Sequence, residues 1–126
     1  MKTQTLFKIS ETEVRNLCVN TLIMHGHYVW KNNTGVFLQL STNKWGQTKK
    51  RMFFAGMKGS SDILGIHKSN GRFIAVELKV YPNDTTPHQE IFLNEISKRG
   101  GYAIKLRVKD SIDMQKQIDR LIDYLK

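Results

Sequence analysis

A mixed α/β fold is predicted by three features of this sequence. Apolar residues recur at helical spacing behind capping signals. Apolar runs of strand length are joined by turn residues. One stretch then sets a strand, a helix and a second strand in succession. The last feature decides the architecture. Such a crossover is right-handed and makes its two strands parallel, whereas the earlier strands are of antiparallel type, so a mixed β-sheet carries helices packed on it.

The first helix is expected to begin near Ser10. Ser10 and Glu13 fit a capping box, with the serine as N-cap and the glutamate at the third helical position. Val14, Leu17, Cys18 and Leu22 follow at helical spacing, and Gly26 is a stop signal. Residues 27–32 (HYVWKN) and 36–40 (VFLQL) read as short strands. The polar, basic stretch 41–51 (STNKWGQTKKR) suits a loop or a hairpin tip, after which MFFAG is expected to return to the core.

Residues 62–66 form a buried strand. Ser69-Asn70-Gly71 signals a hairpin turn, because Asn-Gly tolerates positive φ, and residues 72–80 return as the paired strand. YPNDTTP is a loop. Thr86, Pro87 and Gln89 open a second helix, with Pro87 at its first position and Gln89 at the third in another capping box. Ile91, Phe92, Glu95 and Ile96 continue it, and Gly100-Gly101 ends it. Residues 102–108 (YAIKLRV) are a strand. Asp110 or Ser111 caps a last helix with Ile112, Ile118, Leu121, Ile122 and Leu125 on one face.

A length of 126 residues suits one domain, residues 1–126, with a modest core. The first residues lack the apolar run of a signal peptide, and no stretch is long enough for a membrane span. Cys18 is the single cysteine and has no internal disulfide partner, so a reducing, cytoplasmic setting is expected. Within its apolar helical pattern it reads as a small buried side chain rather than a nucleophile. Twenty Lys and Arg against eleven Asp and Glu give a net charge of +9, which points to a polyanionic partner. That charge separates neither DNA from RNA nor either from an anionic membrane. The chain has no basic amphipathic helix with an aromatic face, so the membrane ranks last.

Three charged residues interrupt the apolar strands of the 62–80 hairpin. A turn centred on Asn70 sets residue 62 opposite about residue 78, so Asp62 and Glu77 come together at one end of the ribbon. Glu77 and Lys79 are two apart and share a face. Two carboxylates, a backbone carbonyl and water make a hard-oxygen site for Mg²⁺ or Mn²⁺. Such an ion polarises a phosphate oxygen and lowers the pKa of bound water, and a neighbouring lysine can stabilise charge developing on phosphoryl oxygens. The plainer reading is a solvated Glu–Lys pair and an Asp that caps a turn; spacing alone leaves both open. Two details favour a site. Phe73 and Ala75 share the face of Glu77 and Lys79, and Gly56 and Gly59 before Asp62 let the backbone pass close to a ligand.

Gly59-x-x-Asp62, Glu77-Leu78-Lys79, Gln89 at a helix start and Gly100-Gly101 together resemble the VRR-NUC nucleases, a branch of the PD-(D/E)XK superfamily with a restriction-endonuclease-like core. The resemblance spans residues 13–109, and the runs GRFIAVELKV and PHQEIFLNEISKRGGYAI are its specific part. It implies an αβββαβα core. It also implies that Asp62, Glu77 and the Leu78 carbonyl ligate Mg²⁺ or Mn²⁺ and that Lys79 is the catalytic lysine. Gln89 would steady water or phosphate, and Glu13 would reach the metal directly or through water, with Glu11 competing. Gln89 and Glu13 could each instead serve only their capping boxes. Ser61 stands where the superfamily's name has proline, a position not needed for ligation.

DNA contacts are expected from Lys44, Trp45, Lys49, Lys50, Arg51, Lys58 and His88; a solvated hairpin tip and an exposed helix start are the alternatives. His25-x-His27 straddles a helix end and is expected to be a solvated pair. Ser60 and Ser61 lack the partners of a hydrolase triad. The function implied is a metal-dependent DNA endonuclease that leaves 5′-phosphate and 3′-hydroxyl ends. Short stand-alone members of phage or bacterial type act as homodimers on branched DNA such as four-way junctions, which suits paired nicking. The alternatives are a non-catalytic nucleic-acid-binding module and a sequence-specific, restriction-type endonuclease whose base-reading element would be loop 41–51.

Overall fold

A computed structural model of the chain describes residues 8–33 and 35–126. Ser10 is extended, and its hydroxyl accepts the Glu13 N–H at 3.1 Å, which starts helix α1 (Glu11–Met24). Only the serine half of the expected capping box forms. Strand β1 (Tyr28–Lys31) follows, then β2 (Gly35–Thr42), β3 (Thr48–Ala55), β4 (Ile63–Ile66) and β5 (Phe73–Val80). Helix α2 (Pro87–Lys98) has both halves of its capping box: Gln89 N–H donates to Thr86 Oγ1, and Thr86 N–H donates to Gln89 Oε1. Strand β6 (Tyr102–Val108) and helix α3 (Ser111–Tyr124), capped by Asp110, complete the order.

The strands divide into two sheets. The larger has the order β1-β4-β5-β6, with β6 parallel to β5 as the crossover through α2 requires and the other pairs antiparallel. Ile74, Val76 and Leu78 of β5 and Ile104, Leu106 and Val108 of β6 share one face. There they pack with Val14, Cys18 and Leu22 of α1, Ile118 and Leu121 of α3, and Leu125 at the C-cap of α3. This is the core, and each fully buried aliphatic side chain in it contributes roughly 1.5–3 kcal/mol. The opposite face carries Ala75, Glu77 and Lys79 of β5 and Lys105 of β6. Lys105 pairs with Glu90 of α2, which places α2 on that side.

β2 and β3 form a separate two-stranded sheet. The expectation that MFFAG returns to the core is corrected for Met52 and Phe53; for Phe54 and Ala55 it lies outside the described side chains. Met52 and Phe53 lie exposed in β3, in backbone register with Leu38 and Phe37 of β2, and Leu38 and Leu40 are exposed too. The expected polar loop is also shorter than 41–51: the turn is residues 43–47, and Lys49, Lys50 and Arg51 belong to β3. The turn between β4 and β5 differs in detail from the sequence expectation. Asn70 does not take positive φ; Gly71 alone does, at 72°. Asn70 instead accepts the Arg72 N–H at 2.9 Å and donates to the Tyr102 hydroxyl at 2.8 Å.

Candidate active site

β4 and β5 pair Ile63 with Val76, and one further step of that register sets Asp62 beside Glu77. This is one position away from the sequence expectation, because the loop is centred between Ser69 and Asn70. The offset matters. Opposite Leu78, Asp62 would have pointed to the core face; opposite Glu77 it shares the face of Glu77 and Lys79. Asp62 Oδ2 accepts the Leu78 N–H at 2.9 Å, and Oδ1 lies 3.7 Å from an Arg15 guanidinium nitrogen. Lys79 Nζ lies 3.7 Å from Glu77 Oε1.

Glu77 is 1% exposed, and its Oε2 is buried with no hydrogen-bond partner. Burial lifts its carboxyl from 4.5 to about 8. The Asp62 carboxylate beside it acts in the same direction, Lys79 opposes, and Glu11 adds a further like charge. Among the described residues, four buried side-chain polar atoms lack a partner: Arg15 Nε, Asn16 Oδ1, Ser61 Oγ and Glu77 Oε2. Three of these belong to Glu77, to Arg15 beside Asp62, and to Ser61 next to it in the chain. A concentration of unsatisfied groups marks a place organised for something other than packing.

These residues fit a divalent cation of the Mg²⁺ type. Glu77 Oε2 is an orphaned hard-oxygen donor beside a second carboxylate. Leu78 directs its N–H at Asp62, on the edge of β5 that β4 does not cover beyond Val76. Its carbonyl points to that same edge, since both groups of a strand residue do. A dication would remove the cost of two like charges held together, one of them out of water. No group of three His, Cys, Asp or Glu side chains gathers at metal-ligand distance among the described residues, so the third protein oxygen would be main-chain.

The segments that flank the β2–β3 hairpin, at Asn32 and at Ser60–Ser61, meet beside this site. Asn32 N–H donates to the Asp62 carbonyl at 2.8 Å. The Asn32 amide donates to Ser60 Oγ at 2.7 Å and to the Ser61 carbonyl at 3.0 Å. Ser60 and Ser61 therefore hold the backbone of the Asp62 segment. Gly59 serves a different purpose from the one expected of it: a Cβ there would lie 2.5 Å from the His88 carbonyl oxygen, so the glycine allows the loop to close on the start of α2 rather than on a ligand.

Other expected site residues are distributed unevenly. Gln89 Oε1 is committed to the helix cap. Glu13 is exposed and engages Ser10 through its backbone; Glu11, half-buried, is the α1 carboxylate whose charge reaches Glu77. Lys58 and His88 line a groove of about 350 Å³ with Met57, Ile91 and Phe92, away from the carboxylates' own partners. Lys44, Trp45, Lys49, Lys50 and Arg51 are exposed on the hairpin. The expectation of a solvated His25–His27 pair is corrected: His27 is buried against His67, with ring centroids 4.7 Å apart, and accepts the Lys68 N–H. Burial pushes the Cys18 thiol up to about 12, consistent with an inert core residue.

Arg15 was not legible as a site residue. Its position one turn after Glu11 gives both residues one helix face, but only the packing of α1 against the sheet brings them to Asp62 and Glu77. Lys105 and Arg107 were not legible either. Lys105 holds Asp84 and Glu90, depressing the Asp84 carboxyl to about 2, while Arg107 donates to the Pro82 and Asn83 carbonyls. Together they anchor the loop between β5 and α2 on the site face. No family model matches the chain, and no curated protein matches it.

Proposed function

We propose that the chain is a metal-dependent DNA endonuclease with a PD-(D/E)XK core of the VRR-NUC type. The observation that carries this reading is Glu77: a buried carboxyl between Asp62 and Lys79, with Oε1 facing the Lys79 ammonium and Oε2 left without a hydrogen-bond partner. Set apart from the β2–β3 hairpin, the remaining elements run αβββαβα, the order expected of such a core.

Asp62, Glu77 and the Leu78 carbonyl would hold Mg²⁺ or Mn²⁺, which when bound supplies a Lewis acid for a phosphodiester oxygen and for water. The chain's own residues perform the rest. Lys79 directs its ammonium at the charge that grows on the phosphoryl oxygens. Arg15 holds Asp62 in place from α1. Water adds to phosphorus, the bond to the 3′-oxygen breaks, and the strand is left with 5′-phosphate and 3′-hydroxyl ends. Basic residues on the hairpin retain the backbone. The setting is cytoplasmic, and among the described residues no helix is long and apolar enough to cross a membrane. A homodimer would present two such sites to the two strands of a four-way junction.

The test incubates the protein with a four-way junction, a linear duplex and single strands, in Mg²⁺, Mn²⁺ or EDTA, beside Glu77→Ala and Lys79→Ala. Metal-dependent cutting lost in both variants is expected. Binding without cutting would favour a non-catalytic DNA-binding module. One observation speaks for that second reading: both Asp62 oxygens already have protein partners, in Leu78 N–H and Arg15.

A further inference from the structure

The β2–β3 hairpin is the least explained part of the fold. An isolated two-stranded ribbon is marginal in water, yet this one exposes Leu38, Leu40 and Met52 on one face and pairs with no strand of the larger sheet. Its charge is one-sided: residues 35–55 contain four lysines and arginines and no acidic residue. Lys49 and Arg51 lie opposite Ser41 and Gln39, on one face and about 7 Å apart. A polyanion is the partner such a surface selects.

The tip is built rather than loose. Asn43 Oδ1 accepts the N–H groups of both Trp45 and Gln47 at 2.9 Å, and the Asn43 amide donates to Gln47 Oε1 at 3.0 Å. Asn43 N–H also donates to the Gln47 carbonyl at 2.9 Å. This closed turn holds Trp45 outward, 74% exposed. Lys44 Nζ lies 4.3 Å from the centre of the indole, over one of its faces. Packing does not explain a tryptophan so exposed at a hairpin tip. A large flat apolar ring, with a cation over one face and its backbone held by the turn, is what a base needs for stacking; a purely electrostatic interaction needs no ring.

We infer that Trp45 is a stacking platform for an unpaired base, so that the hairpin directs the protein to DNA with a base out of the helical stack. This deepens the function proposed above and rests on its DNA-binding half. Paired bases within a continuous duplex hide their faces from the ring; bases at a branch, bulge or frayed end expose them. Lys44, Lys49 and Arg51 then hold the adjoining phosphates, equally for both kinds of DNA.

The test measures binding in EDTA, where no cutting can occur, to a duplex with one unpaired 2-aminopurine and to the same duplex fully paired. Emission of the 2-aminopurine is the readout of stacking, because Trp30 is also partly exposed and would confuse tryptophan emission. The full-length chain is expected to prefer the bulged duplex about tenfold and to quench its 2-aminopurine. Trp45→Ala should abolish both preference and quenching, while Trp45→Phe keeps most of each. Equal affinity for the two duplexes, or a preference that survives in Trp45→Ala, would overturn the inference. Binding of neither duplex would overturn it together with the DNA reading. Quenched, selective binding by a protein that never cuts in Mg²⁺ would support the platform while removing the nuclease.

Discussion

Glu77 concentrates the energetic cost of this fold in one side chain. Its carboxyl is protonated when folded, up to about 8, but ionises from 4.5 upward when the chain unfolds into water. The unfolded state therefore binds fewer protons between those values, and stability falls as pH rises through that window. At about 1.4 kcal/mol per pH unit, the ceiling is a few kcal/mol. His27 acts the other way: burial, first, and then the neighbouring His67 and Lys68 lower its pKa from 6.5, so its share is lost on acidification. The Glu77 effect is thus cleanest above neutrality. In EDTA, the melting temperature should decline from pH 7 to 8. Glu77→Gln should flatten that decline, and Mg²⁺ at pH 8 should raise the melting temperature of the native sequence but not of the variant. A melting temperature level across this range in EDTA would count against a protonated Glu77. The carboxylates and Lys79 were legible in the sequence because a single hairpin turn sets their neighbourhood. The exact partner of Asp62 was not, since half a residue in the turn's centre changes the face on which the side chain emerges. Arg15 and Glu11 were out of reach, as their approach depends on how α1 lies against the sheet.

Elements with their own boundary signals could be read most fully: α1 from Ser10, α2 from Thr86 and Pro87, and the parallel β6 from the crossover. The β2–β3 hairpin could not. Its run of Val, Phe and Leu has the composition of a buried strand, and periodicity reports an apolar face without saying what covers it. The loop before β4 was misread for a related reason, since a glycine needed for a close approach does not name what approaches. Gly59→Ala is expected to be severe. Its φ is 85°, and the new Cβ would sit 2.5 Å from a backbone oxygen of α2. Gly71→Ala shares the positive φ but meets nothing within 4 Å, and should cost only about 1–2 kcal/mol. Urea denaturation of the two variants should therefore separate them, with Gly59→Ala the less stable. At the start of α2, Gln89→Ala should cost about 0.5–2 kcal/mol, and Gln89→Glu, which retains the acceptor for Thr86 N–H, much less. A Gln89→Glu variant as unstable as Gln89→Ala would show that the cap is not what Gln89 contributes.

Over the whole molecule, charge is unevenly paired: the hairpin holds cations without anions, whereas Arg15 and Lys79 stand beside the carboxylates of the site and Lys105 beside Asp84 and Glu90. Affinity for DNA should accordingly fall steeply with salt. Replacing Lys49, Lys50 and Arg51 together by Ala should lower the slope of log affinity against log salt by up to about 0.9 for each phosphate no longer neutralised, as measured by anisotropy titrations. A slope unchanged in the triple variant would place the DNA elsewhere. The hairpin's length has a further consequence. Its eight-residue strands are about 27 Å long, and the connections that lead into and out of them meet beside Asp62, through Asn32 and Ser60. With base pairs stacked about 3.4 Å apart, that span covers about eight of them. The hairpin then works as a ruler: the strand break should fall at an offset from the unstacked base that stays constant as the sequence between them is changed.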